Sequence, residues 1–260
     1  MNVIGSGHSD VGLQREHNED SFCILPEFDL FIVADGMGGH KAGDVASKMA
    51  THAIASFFQA TAQEDATWPF HFDPHLSVDE NRLITGIKVA NKKIFEASTR
   101  HHEVHGMGTT VVGALFNKQH NKLYIAHVGD SRAYRVREGA IQLLTRDHSL
   151  LNDYLLVMPD MTTEQRDELP KNVITRALGM QDSVVVDIVP EVPQVGDYYI
   201  LCSDGLSGMI SDEELRDIVS AAGKDVDKAT KDLVAKANEH GGEDNVTVVV
   251  ILVTESSTPE

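Results

Sequence analysis

Two cysteines in 260 residues, Cys23 and Cys202, are too few for a disulfide framework. Both lie in apolar runs, read as small core hydrophobes, and fit a reducing cytoplasm. No stretch approaches the roughly 20 apolar residues of a spanning helix; the longest, 246–253, is less than half that. The first residues hold no basic region followed by an apolar stretch, so no secretory signal is expected. Basic residues are scarce. Twenty-two Lys and Arg face 40 Asp and Glu, for a net charge of −18. That balance excludes nucleic acid and anionic membranes as expected partners, since both reward a basic footprint. Ser/Gly or Pro runs, charge blocks and internal repeats are also missing, which favours one domain. Hydrophobic content of 42% and charged content of 24% are those of an ordinary globular protein.

What the chain does have is a recurring junction between an apolar run and an aspartate. Residues 30–34 end in Asp35-Gly36, 123–129 end in Asp130, and 198–203 end in Asp204-Gly205. The fourth case is reversed, with Asp244-Asn245 leading into 246–253. Such runs, rich in β-branched and aromatic residues, read as buried strands. Their carboxylates would gather at one rim of a sheet. Two carboxylates about 4 Å apart repel by about 4 kcal/mol at an effective dielectric near 20. Several together call for cations, and hard oxygen ligands select Mg²⁺, Mn²⁺ or Ca²⁺ over zinc. The glycine of Asp35-Gly36 lets a carbonyl approach the same ion. A shared carboxylate would build a two-metal site suited to phosphate-ester hydrolysis. Arg15, in a polar loop before the strand at 22–25, could orient the phosphate as a bidentate fork.

Other patterns do not hold up. His102-Glu103-Val104-His105 has the wrong spacing for a zincin helix, and Gly36-Met37-Gly38-Gly39 lacks the full dinucleotide fingerprint. No Walker lysine, thiolate phosphatase loop or Gly-x-Ser-x-Gly elbow is present. Helical spacing predicts helices at 43–60 and 83–95, then from the Ser211 capping box to Gly223, and over 226–238. Strands are expected at 109–116, 123–128, 131–136, 140–144, 183–189 and 197–202, and 61–79 as a loop. The polar stretch 150–179 reads as a partly helical surface excursion, with a capping box at Thr162 and Gln165. Elements cluster rather than alternate, which points to α+β with mainly antiparallel sheet.

Seven segments carry a family resemblance. They are Arg15-Glu16-His17-Asn18-Glu19-Asp20, Val33-Ala34-Asp35-Gly36-Met37-Gly38-Gly39-His40, Gly106-Met107-Gly108-Thr109-Thr110, Val128-Gly129-Asp130-Ser131-Arg132, Thr175-Arg176-Ala177-Leu178-Gly179, Cys202-Ser203-Asp204-Gly205-Leu206 and Asp244-Asn245. In this order they resemble the metal-dependent protein phosphatases, and the chain is similar to bacterial type 2C serine/threonine phosphatases. The resemblance implies a four-layer α-β-β-α sandwich, two antiparallel sheets flanked by helices, over 1–254 with a short polar tail at 255–260. It implies two Mn²⁺ or Mg²⁺ ions, with Asp35 bridging, the Gly36 carbonyl on one ion, and Asp204 and Asp244 completing the set. Asp130 would hold a third, weaker ion shared with Asp204, and Asp20 would anchor metal-bound water, with Glu19 beside it. Arg15 would bind the phosphoryl group during in-line attack by the bridging hydroxide. His40 would either protonate the leaving alkoxide or structure the glycine loop.

Residues 150–179 correspond to the family's flap, and 155–159 are more apolar than the polar, glycine-containing flap expected there. Asp44 stands where glutamate is usual. Expected partners are phosphorylated proteins, a Ser/Thr kinase and its substrates among them, met by a cytoplasmic monomer. A pseudophosphatase would have lost a metal aspartate, and none is lost. An enzyme for small phosphate esters would have a stunted flap, and this one is not stunted.

Overall fold

The computed structural model describes residues 1–38, 41–62, 68–170 and 173–256, the side chains of Lys41 and Asp167 excepted. Its strands are β1 (Asn2–Asp10), β2 (Asp20–Leu25), β3 (Leu30–Met37), β4 (Gly108–Thr109), β5 (Val111–Asn117), β6 (Lys122–Val128), β7 (Arg132–Arg137), β8 (Ala140–Leu143), β9 (Asp187–Glu191), β10 (Tyr198–Cys202) and β11 (Val246–Thr254). The helices are α1 (Lys41–Ala60), α2 (Val78–Arg100), α3 (Leu150–Val157), α4 (Thr163–Asp167), α5 (Asp204–Ser207), α6 (Asp212–Ala222) and α7 (Val226–Glu239). One sheet runs β1-β11-β10-β7-β8 and the other β2-β3-β5-β6-β9, with β4 beside β3. Every pairing is antiparallel.

The unbroken apolar runs follow from burial on both faces of a strand. Along β3, Leu30, Ile32 and Ala34 pack with α1 and α2 residues, while Phe31 and Val33 face the second sheet. Along β11, Val246, Val248, Val250 and Leu252 pack with α6 and α7 residues, and Val249, Ile251 and Val253 point between the sheets. Three apolar layers therefore separate four layers of structure, the expected α-β-β-α sandwich. α2 opens on a Ser77–Glu80 capping box, and the predicted boxes at Thr162–Gln165 and Ser211–Glu214 both form. Among the described residues, no helix is long and apolar enough to cross a membrane.

One strand is unexpected, and two expected strands shift. β1 has no apolar run to announce it, because its burial comes from the facing sheet: a Cβ on Gly5 would lie 2.3 Å from a Phe31 ring carbon, and one on Gly7 2.4 Å from a Phe22 ring carbon. The strand expected at 109–116 is split at Thr110, whose hydroxyl turns to Ser131. The strand expected at 183–189 forms instead at Asp187–Glu191, where it pairs with β6.

Candidate metal centre

Antiparallel pairing of β2 with β3 sets Asp20 directly opposite Asp35. Asp204 follows β10 as the first residue of α5, and Asp244 lies just before β11, the neighbour of β10. Asp130 follows β6 in the sheet that carries Asp35. Hydrogen bonds stitch these ends together across the two sheets. Ser203 Oγ donates to Asp20 Oδ2 at 2.7 Å and accepts the Thr247 N–H at 3.0 Å. The Glu19 N–H donates to Asn245 Oδ1 at 2.7 Å, while Asn245 Nδ2 donates to the carbonyls of Val11 and His17, each at 2.9 Å. Thr109 Oγ1 donates to the Asp35 carbonyl at 2.8 Å, and the Asp35 N–H donates to Thr110 Oγ1 at 3.2 Å. Ser203, Asn245 and Thr110 thus frame the rim, and their side-chain roles were not read from the sequence. Only their places inside the quoted motifs hinted at them.

Gly36 is fixed by crowding. A Cβ there would lie 2.1 Å from the Gly43 carbonyl oxygen and 2.5 Å from that of Glu19. Glycine lets α1 and the 18–20 segment close on the end of β3.

The carboxyls share one field. Burial, and then its neighbours Asp204 and Asp244, push the buried Asp20 up to about 7, although the Ser203 bond works against the rise. Burial first, then Asp20, Asp204 and Asp130, hold Asp35 well above the usual carboxylate range. Contact between the two carboxyls also raises Asp35 and works against the rise of Asp204. Asp204 is raised by desolvation and by Asp244, and Asp130 is pushed up to about 6 by burial and by Asp204. Among the described residues, Asp20 Oδ1 and Asp130 Oδ1 are buried without a hydrogen-bond partner. Orphaned oxygens in a crowd of repelling carboxyls are the mark of a cation site, and an all-oxygen donor set suits a hard divalent ion.

A cleft of about 620 Å³ opens over this rim, lined by Arg15, Glu16, His17, Glu19, Asp35, Gly36, Asp204, Asp244 and Asn245 together with Gln14, Met37, Gly38 and Ile174. Arg15 Nη2 sits 2.6 Å from Asp244 Oδ2, with both side chains substantially exposed. The structure therefore brings together Asp20, Asp35, Gly36, Asp130, Asp204, Asp244 and Arg15. His40 lies outside the described residues. Asp44 pairs with Lys48 at 2.6 Å along α1.

The sequence matches the family model described as Protein phosphatase 2C over residues 4–244. A serine/threonine phosphatase named stp, from Listeria welshimeri, is 36% identical over 251 residues, covering 94% of this chain and 93% of its own. The crystal structure of the serine/threonine phosphatase Stp1 from Staphylococcus aureus superposes with a TM-score of 0.83 at 32% identity, over 98% of this chain and 96% of that one. The catalytic domain of serine/threonine protein phosphatase PstP, solved with two manganese ions, gives a TM-score of 0.79 at 32% identity over 97% and 99%.

Proposed function

The chain belongs to the protein phosphatase 2C family, and from that premise we propose how this metal-dependent serine/threonine phosphatase is built to act on phosphoserine and phosphothreonine. Asp35, Asp204, Asp244 and the Gly36 carbonyl are the ligands of a pair of Mn²⁺ or Mg²⁺ ions, and Asp130 with Asp204 holds a third, weaker one. The observation that carries this assignment is the crowd of raised carboxyls with unpartnered oxygens at one sheet rim. When bound, such ions lower the pKa of coordinated water towards neutrality and screen the charge of a phosphate ester.

The chain's own residues do the rest. Asp35 reaches the rim from a strand buried on both faces, so its position is set before substrate arrives. Asp20, held through Ser203, offers a further acceptor for a water proton from a fixed place. Arg15 is exposed and pairs with a rim carboxylate, Asp244. From its place in the cleft lining, the Arg15 guanidinium would grip two phosphate oxygens and orient the ester. The substrates are proteins phosphorylated by a Ser/Thr kinase, and the enzyme works as a cytoplasmic monomer. The acidic chain and its two unpaired cysteines are compatible with that setting.

Hydrolysis of p-nitrophenyl phosphate tests the assignment. EDTA should abolish turnover and Mn²⁺ should restore it. Full turnover in EDTA would overturn the metal assignment.

A further inference from the structure

Away from the rim, the structure builds a second polar cluster. His127 on β6 stands opposite Asp187 on β9 in the strand register. Its ring stacks on that of His148, with centroids 4.8 Å apart and planes at 13°. Both histidines are buried. His148, His127 and Asp187 each offer a donor atom within 4.8 Å of the others, the spacing of a metal site. That position is already filled. Arg176 Nη1 donates to Asp187 Oδ1 at 2.6 Å and to the Val185 carbonyl at 3.2 Å, and lies 3.0 Å from His148 Nε2. His148 has no lone pair left for an ion either. Its Nδ1 accepts the Gly129 N–H at 3.0 Å, so the neutral ring carries its proton on Nε2, 3.2 Å from Asp187 Oδ2.

The cluster's location gives its role. His148 and Arg176 lie at the two roots of the flap at 150–179. The roots also pair through the backbone: Thr175 N–H donates to the His148 carbonyl at 2.8 Å, Leu150 N–H donates to the Val173 carbonyl at 2.9 Å, and Ser149 bridges Ile174. Ile174 lines the cleft over the aspartate rim. In the outer part of the flap α3 buries no side chain and leaves Leu156 62% and Val157 81% exposed, and the apolar anchorage comes from Met161 and, at the far root, from the buried Ala177 and Leu178. Polar contacts at the roots tie it in addition to Asp187 on β9 and to Gly129 at the end of β6.

We propose that Arg176, Asp187 and His148 form a latch that positions the flap beside the cleft, so that turnover of protein substrates depends on it while turnover of small phosphate esters does not. A small ester needs only the rim, whereas a folded or peptide substrate must also fit against the wall that Ile174 and the flap provide. These are positioning residues. The inference rests on the cleft at Asp35 being the reaction site, which the EDTA and Mn²⁺ experiment on wild type tests separately.

Arg176→Gln removes the cation and keeps most of the side-chain length. With saturating Mn²⁺, kcat/KM for phosphorylated casein should fall about tenfold, the scale of a lost charge-assisted contact. For p-nitrophenyl phosphate it should stay within about twofold of wild type. Hydrogen exchange at the Thr175 and Leu150 amides should quicken, and Arg176→Lys should retain more casein activity than Arg176→Gln. Should Arg176→Gln fail to fold, Asp187→Asn should give the same pattern. An equal fall for both substrates would assign the cluster to the fold alone and overturn the latch. Unchanged casein kinetics with unchanged exchange would overturn it as well.

Discussion

A buried carboxyl whose folded pKa is raised makes the metal-stripped protein less stable as pH rises, the reverse of a salt-bridged aspartate. Asp20 moves from 3.8 to about 7 on folding, driven first by burial. Between those values the folded chain holds a proton that the unfolded chain has released, so stability falls with pH through this window and is level above it. Below the unfolded value both states are protonated and the burden vanishes. At roughly 1.4 kcal/mol per pKa unit, the full effect reaches about 4 kcal/mol. His127 and His148 act with the opposite sign, because burial lowers both from 6.5 and their contribution grows as pH rises towards that value. Comparing wild type with Asp20→Asn cancels the histidines. In EDTA the variant should melt about 10 °C above wild type at pH 8, taking 2–4 °C per kcal/mol for a domain of this size. The two should converge near pH 4, and Mn²⁺ should raise wild type more than the variant at pH 8. An Asp20→Asn protein no more stable than wild type in EDTA at pH 8 would refute the view that the rim is held together against its own charge.

Three further outcomes follow from the same geometry. Asp204→Asn should lower turnover of p-nitrophenyl phosphate by about two orders of magnitude or more at saturating Mn²⁺, and near-normal turnover would remove Asp204 from the site. Arg15→Ala should raise KM about tenfold and shift stability by less than about 1 kcal/mol, because its ion pair with Asp244 is solvent-exposed; an unchanged KM would mean the guanidinium serves elsewhere. Gly5→Ala forces a methyl towards the Phe31 ring and should cost about 1–3 kcal/mol in urea unfolding, with a neutral result showing that the sheets separate easily.

The parts of the site that a reader of the sequence can find are those whose signal is local. Asp35, Asp130, Asp204 and Asp244 each touch an apolar run in the chain itself, so strand pattern and chemistry lie side by side. The two-sided burial of β3 and β11 is legible for the same reason, as runs with no polar alternation. What stays hidden depends on partners far along the chain. Ser203 finds Asp20 across 183 residues and Asn245 finds Glu19 across 226, and nothing near either residue encodes the meeting. β1 is hidden because its apolar cover belongs to Phe22 and Phe31 of the other sheet. The latch was out of reach for a similar reason. Placing the β9 strand four residues early leaves no basis for setting His127 opposite Asp187.

The rim and the sandwich beneath it stand in a definite physical relation. Five carboxyls facing one another are a local conflict that folding alone would not select. Strands with a single buried face could relieve such repulsion by splaying their ends. Here β3 is gripped by helices on one side and by the second sheet on the other, and Ser203, Thr110 and Asn245 tie the ends together. The side chains must therefore settle their charge by holding protons or by accepting cations. Protonation competes with ions for the same oxygens, so ion affinity should weaken as pH falls and the raised carboxyls of Asp35, Asp130 and Asp204 take up protons. A rigid, overcharged rim therefore holds its ions more tightly as its carboxyls ionise, and the bound ions in turn draw those carboxyls towards the ionised form.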